Sequence, residues 1–290
     1  MSRSESMAEL RPMNFGEVLD ASLSIFRRHF RLFLQLSVVV MGVPMAVLVY
    51  FTKSLDKDIV VRPVATILTV VPVFLVYYLA SLVLTASTVR LISDSYLGHE
   101  PRFRSAIGLG MGRIWPLFLV GLGKSVLLGL IVIGVAIAGA VLVPVARAAP
   151  VVGVLGGAAL IIGGVWFLIY VACGYGVTTP VVVLEELPSA FDAFARSWEL
   201  TRGSKRRVLG FATVAFLLFN SIPGLVLQAI ATAIQEQWPL IGVGALVLAH
   251  AVPMLLLPII SCVFTLMYYD LRVRREAFDL QILGQQLGIA

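Results

Sequence analysis

The chain has 290 residues, of which 59% are hydrophobic and 13% charged, and its mean hydropathy is +0.98. Soluble domains carry about 25% charged residues, so this composition excludes an ordinary soluble domain and predicts an integral membrane protein. The net charge of +6 sits beside apolar runs of spanning length, which points to anionic lipid headgroups and excludes nucleic acid as the partner.

Residues 1–13 read as a flexible N-terminal segment. The first thirty residues carry Arg3, Glu5, Glu9, Arg11, Glu17, Asp20, Arg27 and Arg28 and lack a continuous apolar stretch, so no cleavable signal peptide is expected. From Asn14 the sequence NFGEVLDASLSIFRRHFRLFL predicts a basic amphipathic helix lying on the membrane surface before the chain enters the bilayer. Asn14 and Glu17 have the spacing of a capping box, and Phe15, Leu19, Leu23, Phe26 and Phe30 recur on one face. Two apolar runs follow at roughly 31–51 and 64–90, each near the 20 residues that a bilayer crossing needs.

The order then repeats. A second basic segment, PRFRSAIGLGMGRIWPLFLV from Pro101, leads into runs at about 114–143 and 151–179, separated by a short turn around Arg147. Its GLGMG stretch lacks both a preceding strand and a following GK[ST], so it reads as close packing or a loose joint rather than a phosphate loop. Gly153 and Gly157 form one GxxxG, the spacing of a close helix contact. A third basic segment, PSAFDAFARSWELTRGSKRRVLG from Pro188, shows Ser189 with Asp192 as a cap and Gly203 as a helix stop. Leu187, Phe191, Phe194 and Trp198 make its predicted apolar face. The last runs lie near 208–232 and 240–268, the former interrupted by Asn220, Pro223 and Gln228.

The predicted architecture is therefore an all-α integral membrane domain over 14–270, with six transmembrane helices and three interfacial helices. Its units of about 14–94, 101–186 and 188–270 would form a three-fold parallel repeat. A basic cytoplasmic tail, 271–290, follows. With both termini cytoplasmic, 17 Lys and Arg fall on the inner side and four (Lys53, Lys57, Arg62 and Arg147) on the outer side. That asymmetry predicts the orientation. Arginine outnumbers lysine 18 to 4, which suggests a bacterial source and hence the inner membrane.

Each inward run begins after a proline (Pro63, Pro150, Pro239) and closes on an acid: Asp94, Glu185 or Glu186, and Asp270. A carboxylate at a helix C-terminus opposes the dipole and asks for a cation. Candidates are Arg90 or Arg102 for Asp94, Arg196 for Glu185 or Glu186, and Arg272 or Arg274 for Asp270. Such pairs are either a structural lock or a gate. Lys124 and His250 are the ionisable residues deepest in the spans, and Asn220 is the central polar one. Intramembrane groups of this kind point to function; the alternatives are snorkelling to the headgroups for Lys124, hydrogen-bonded packing for His250 and a bond between helices for Asn220. Cys173 and Cys262 read as small apolar residues, and no metal-ligand spacing or catalytic constellation is present, so neither enzyme activity nor a cofactor is expected.

Three stretches, NFGEVLDASLSIFRRHFRLFL (14–34), SAFDAFARSWELTRGSKRRVLG (189–210) and YYDLRVRREAFDL (268–280), together resemble the membrane domain named after bacterial glycerophosphoryl diester phosphodiesterases. In those enzymes the phosphodiesterase chemistry resides in a separate soluble barrel, and only ten residues follow the last stretch here. The resemblance implies a lipid-associated membrane helper and transfers no catalytic residue. The expected function is a non-enzymatic scaffold or helper tied to lipid or envelope processes, its partners being membrane lipids at the cytoplasmic face, other proteins or further copies of itself. A small permease or lipid translocator, with a pathway between the units, is the second reading.

Overall fold

The computed structural model describes residues 12–58 and 63–276, apart from the side chains of 49, 52–58, 63–66 and several between 236 and 250. The segment before Pro12, the cations Lys53, Lys57 and Arg62, and the tail from Ala277 onward lie outside the described residues and side chains. Every described element is helical: α1 (Phe15–Arg28), α2 (Phe30–Asp58), α3 (Pro63–Tyr96), α4 (Phe103–Gly112), α5 (Ile114–Ala148), α6 (Pro150–Gly174), α7 (Thr178–Leu184), α8 (Asp192–Thr201), α9 (Lys205–Phe216), α10 (Ile222–Gln237) and α11 (Pro239–Glu276). Among the described residues six stretches are long and apolar enough to cross a membrane, and they coincide with the six runs of the sequence. The protein is an all-α multi-pass membrane protein.

Local chemistry accounts for the breaks. Pro63, Pro150 and Pro239 each open a helix, where a missing N–H costs nothing and the fixed φ is already helical. A single residue, Ala149, joins α5 to α6. Between α9 and α10 the backbone makes a π-turn over Leu217–Ser221, just before Pro223, whose ring cannot supply an N–H to the ladder. At the third surface segment the chain leaves α8 through Gly203 at φ +79°, the left-handed conformation that glycine adopts without penalty.

The three basic segments form short helices, α1, α4 and α8, each separate from the span that follows. Their buried faces differ from the expected ones. In α1 the Glu17 carboxylate accepts the Asn14 N–H at 2.7 Å, as the capping box requires. Its buried residues, however, are Val18, Ser22 and Phe26, while Phe15 stays partly exposed and stacks on Phe211 at 4.4 Å. In α8 the expected aromatic stripe docks only in part: Leu187 and Phe194 pack on the core and Trp198 on the end of α6, Phe191 is exposed, and the fully buried residues are Ala193, Ser197, Leu200 and Thr201. The reason is close approach, since small residues let α8 press against the end of α6. The Asp192 carboxylate does accept the Ser189 N–H at 3.0 Å, but in the turn before the helix rather than within it.

The glycines also sort by contact. At Gly110 an added Cβ would fall 2.2 Å from Ser87 Oγ, so part of the GLGMG run is packing of α4 on α3, whereas Gly108 and Gly112 face open space. The GxxxG pair does not act as a unit. Gly153 is tight against Ala146 of its own hairpin, and Gly157 touches nothing.

Burial concentrates at one end of the bundle. The core residues cluster in 83–94, 171–183, 193–215 and 259–273, where α1 and α8 dock on the ends of α3, α7 and α11. Helix α11 packs against α1, α2, α3, α7, α8, α9 and α10. The α5–α6 hairpin makes its main contacts within itself.

Candidate functional site

Three consecutive residues near the end of α11 tie the bundle together. The Tyr268 hydroxyl donates to Glu185 Oε1 at 2.8 Å, reaching the residue that closes α7. The Tyr269 hydroxyl and Ser93 Oγ share a hydrogen bond of 2.7 Å, reaching the last turn of α3. Asp270 accepts the Met13 N–H at 2.8 Å and meets Arg207 of α9 and Arg274 of α11, each at 3.1 Å. Helical geometry turns successive side chains by about 100°, so the three point in different directions and each reaches a different neighbour. All three are buried.

The acid–arginine pairs surround this triplet. Arg90 meets Asp94 at 3.0 Å, and Arg196 of α8 meets Glu185 at 2.9 Å. Arg196 also pairs with Glu276. Burial works against the Arg196 guanidinium's charge, and the bonds to Glu185 and Glu276 outweigh it, so its pKa lies above the usual arginine value. Arg272 is not a partner of Asp270: two residues on, it points away from that carboxylate, and it bonds Glu276 at 3.0 Å. Arg274, four residues on, lies over Asp270. Arg102 is likewise replaced at Asp94 by Arg90, one helical turn earlier. Glu186 is exposed, because the chain becomes extended at Glu185 (ψ 147°) and the next side chain turns outward. Asp270 does not close its helix, since α11 runs on to Glu276, past the boundary expected at 270.

Two partners could not be read from the sequence. Met13, in the segment before α1, engages Asp270 through its N–H, and its carbonyl accepts from Arg274 at 2.8 Å and from Arg207. Arg207 stands 63 residues from Asp270, and no local spacing signals that pairing. Its only signal was the density of cations in GSKRR.

Lys124 lines a cavity of about 440 Å3 between α3, α5, α6, α7, α9 and α11, together with Thr85, Thr179 and Ser261. Among the described residues it has no carboxylate within ion-pair distance. Asn220 lies half-buried in the π-turn, away from this cavity's lining, and Gln228 is exposed. The side chain of His250 lies outside the described ones. The structure thus gathers Asp94, Glu185, Asp270, Arg196 and Arg274 at one end and leaves Lys124 alone in a second place. Among the described residues no cluster of three or more His, Cys, Asp or Glu could hold a metal.

No family model, curated protein or solved structure matches the chain.

Proposed function

We propose that this protein is a non-enzymatic membrane scaffold or helper working with lipids or envelope components, its basic end and both termini on the cytoplasmic side of a bacterial inner membrane. The observation that carries the reading is the joint at Tyr268–Tyr269–Asp270. It binds the ends of three hairpins and the pre-α1 segment into one buried, hydrogen-bonded body, which suits a rigid platform better than a gate. The excess of 17 inner cations over four outer ones supports the orientation. The resemblance to the phosphodiesterase-associated membrane domain supports the link to lipids. Native purification with identification of bound lipids and co-purifying proteins tests the function, and the reading is lost if neither appears. Orientation is tested in a cysteine-free background: Glu186→Cys should react with an impermeant maleimide only in inverted vesicles, and Arg147→Cys only in right-side-out cells.

A second reading, a small permease or lipid translocator, has one observation of its own. Lys124 faces a cavity about 15 Å along its helix rather than the headgroups, where an unpaired amine could meet a passing anion. Proteoliposomes that show no lipid or anion flux above protein-free controls would remove it.

A further inference from the structure

We infer that the cleft between α6, α8 and α9 binds one anionic phospholipid, with its phosphate at Arg202 and Arg206 and its acyl chains along Trp166, Ile169 and Leu209. This deepens the helper reading by naming the lipid class and the place.

The cleft encloses about 880 Å3, within the range of sites that hold a small molecule. Its shape begins at Gly174. The carbonyl of Gly174 accepts hydrogen bonds from Ser197 Oγ at 2.9 Å and Thr201 Oγ1 at 3.1 Å, which draw α8 against the end of α6. An added Cβ on Gly174 would lie 2.3 Å from the Trp198 ring, so only glycine allows that approach. Trp198 then stands near Tyr170 of α6, and the Lys205 ammonium sits 3.3 Å from the centroid of both rings. The lysine braces the two aromatics into one wall. Its Nζ is buried and has no hydrogen-bond acceptor among the described residues. The rings offset only part of its desolvation, so a neighbouring anion would stabilise it further.

The cations here differ from those of the joint. Arg90, Arg196, Arg207, Arg272 and Arg274 each meet a carboxylate. Arg202, Lys205 and Arg206 meet none among the described residues, although all three line this cleft, and no acidic side chain lines it with them. Arg202 and Arg206 are exposed and free to fork onto phosphate oxygens. The start of α9 at Lys205 lacks a side-chain cap, and its dipole adds to the positive field. Three uncompensated positive charges disfavour a headgroup that carries its own amine and favour a net anionic one. The opposite end of the cleft is apolar, with Trp166 and Leu209 exposed in spanning segments. A free phosphate would leave that half empty, whereas a phospholipid fills both.

The test uses the protein's four tryptophans, of which Trp166 and Trp198 line the cleft and Trp115 and Trp238 do not. The full chain is placed in phosphatidylcholine nanodiscs containing either phosphatidylglycerol or phosphatidylcholine brominated on the acyl chains, at matched mole fraction. Phosphatidylglycerol should quench the emission more, and the excess should disappear in W166F/W198F. The R202Q/R206Q variant should weaken the phosphatidylglycerol effect by about tenfold, the loss expected for one strong charge-assisted contact. The R102Q/R104Q variant, which removes cations elsewhere that meet no carboxylate among the described residues, should retain it. Equal quenching by the two lipids, or equal losses in the two arginine variants, overturns the inference in favour of a diffuse basic surface. Competition by inorganic phosphate as strong as that by the lipid would show a phosphate site and overturn it as well. If R202Q/R206Q fails to fold, Leu209→Phe, which crowds the apolar half without adding a tryptophan to the readout, should abolish the selectivity, and unchanged selectivity there refutes the site. Failure of these arms leaves the helper reading standing whenever partner proteins still co-purify.

Discussion

Helices α5 and α11 are both long and apolar, yet they occupy opposite situations. The most apolar window of α5 has a mean hydropathy of 3.0 and none of it is buried inside the protein, whereas that of α11 has 2.2 and is 41% buried. The less apolar helix is the centre. In water this order would be reversed, because burial follows apolarity. Lipid chains are as apolar as leucine, so hydropathy offers no drive for one spanning helix to pack on another. Small residues, hydroxyls and charges select the contacts instead. Helix α11 has hydroxyls and a charge in Ser261, Thr265, Tyr268, Tyr269 and Asp270; the middle of α5 has small residues, of which Gly129 and Gly134 face open space, but beyond Lys124 and Ser125 no hydroxyl or charge.

That contrast can be broken in order of effect. Asp270→Ala should cost the most, about 3–5 kcal/mol of stability in detergent, because it strands Arg207 and Arg274 beside a buried gap. An unchanged unfolding temperature would show that the joint at the end of α11 does not hold the bundle. Leu266→Ala, at a fully buried position of α11, should cost about 2–5 kcal/mol. Gly174→Ala should cost about 1–3 kcal/mol, since Trp198 must move, and the loss should come with weaker shielding of Trp198 from aqueous quenchers. Ile137→Ala, exposed on α5, should stay within about 0.5 kcal/mol, and a loss as large as that of Leu266→Ala would mean that α5 has a protein partner in solution.

The smallest effect lies at the joint between α1 and α2. Burial, and then the neighbouring charge of Arg28, lower the pKa of His29 from 6.5. The unfolded chain therefore takes up the proton first as pH falls, so stability is complete above pH 6.5 and declines below it toward the lowered folded value. His29→Gln should flatten that acid-side slope, measured as unfolding temperature against pH, and an unaltered slope would show that His29 is not its source.

Much of the frame was legible residue by residue. The prolines at 63, 150 and 239 announced helix starts because proline suits that position and few others. The Asn14–Glu17 box and Gly203 marked helix ends through equally local chemistry. Pairs one helical turn apart, Arg90–Asp94 and Arg274–Asp270, follow from the pitch of a helix. The docking faces were not legible in the same way. Large aromatic residues mark an amphipathic helix in water, but at a membrane surface they need not be buried in protein: Phe191 is exposed, while Ser197 and Thr201 bond to the end of α6.

The sequence by itself determined the membrane class, the number of spans, the short helix before each hairpin and the acids near the end of each hairpin's second run. These depend on length, hydropathy and neighbours within one helical turn. Only the tertiary structure decided that the three hairpins are unequal, with α11 at the centre and α5–α6 at the edge. It alone brought Met13 and Arg207 to Asp270 and set Lys205 between Tyr170 and Trp198. The physical reason is the same in each case. Hydrophobicity settles which segments enter the bilayer, and specific polar and close contacts between distant residues settle how they meet inside it.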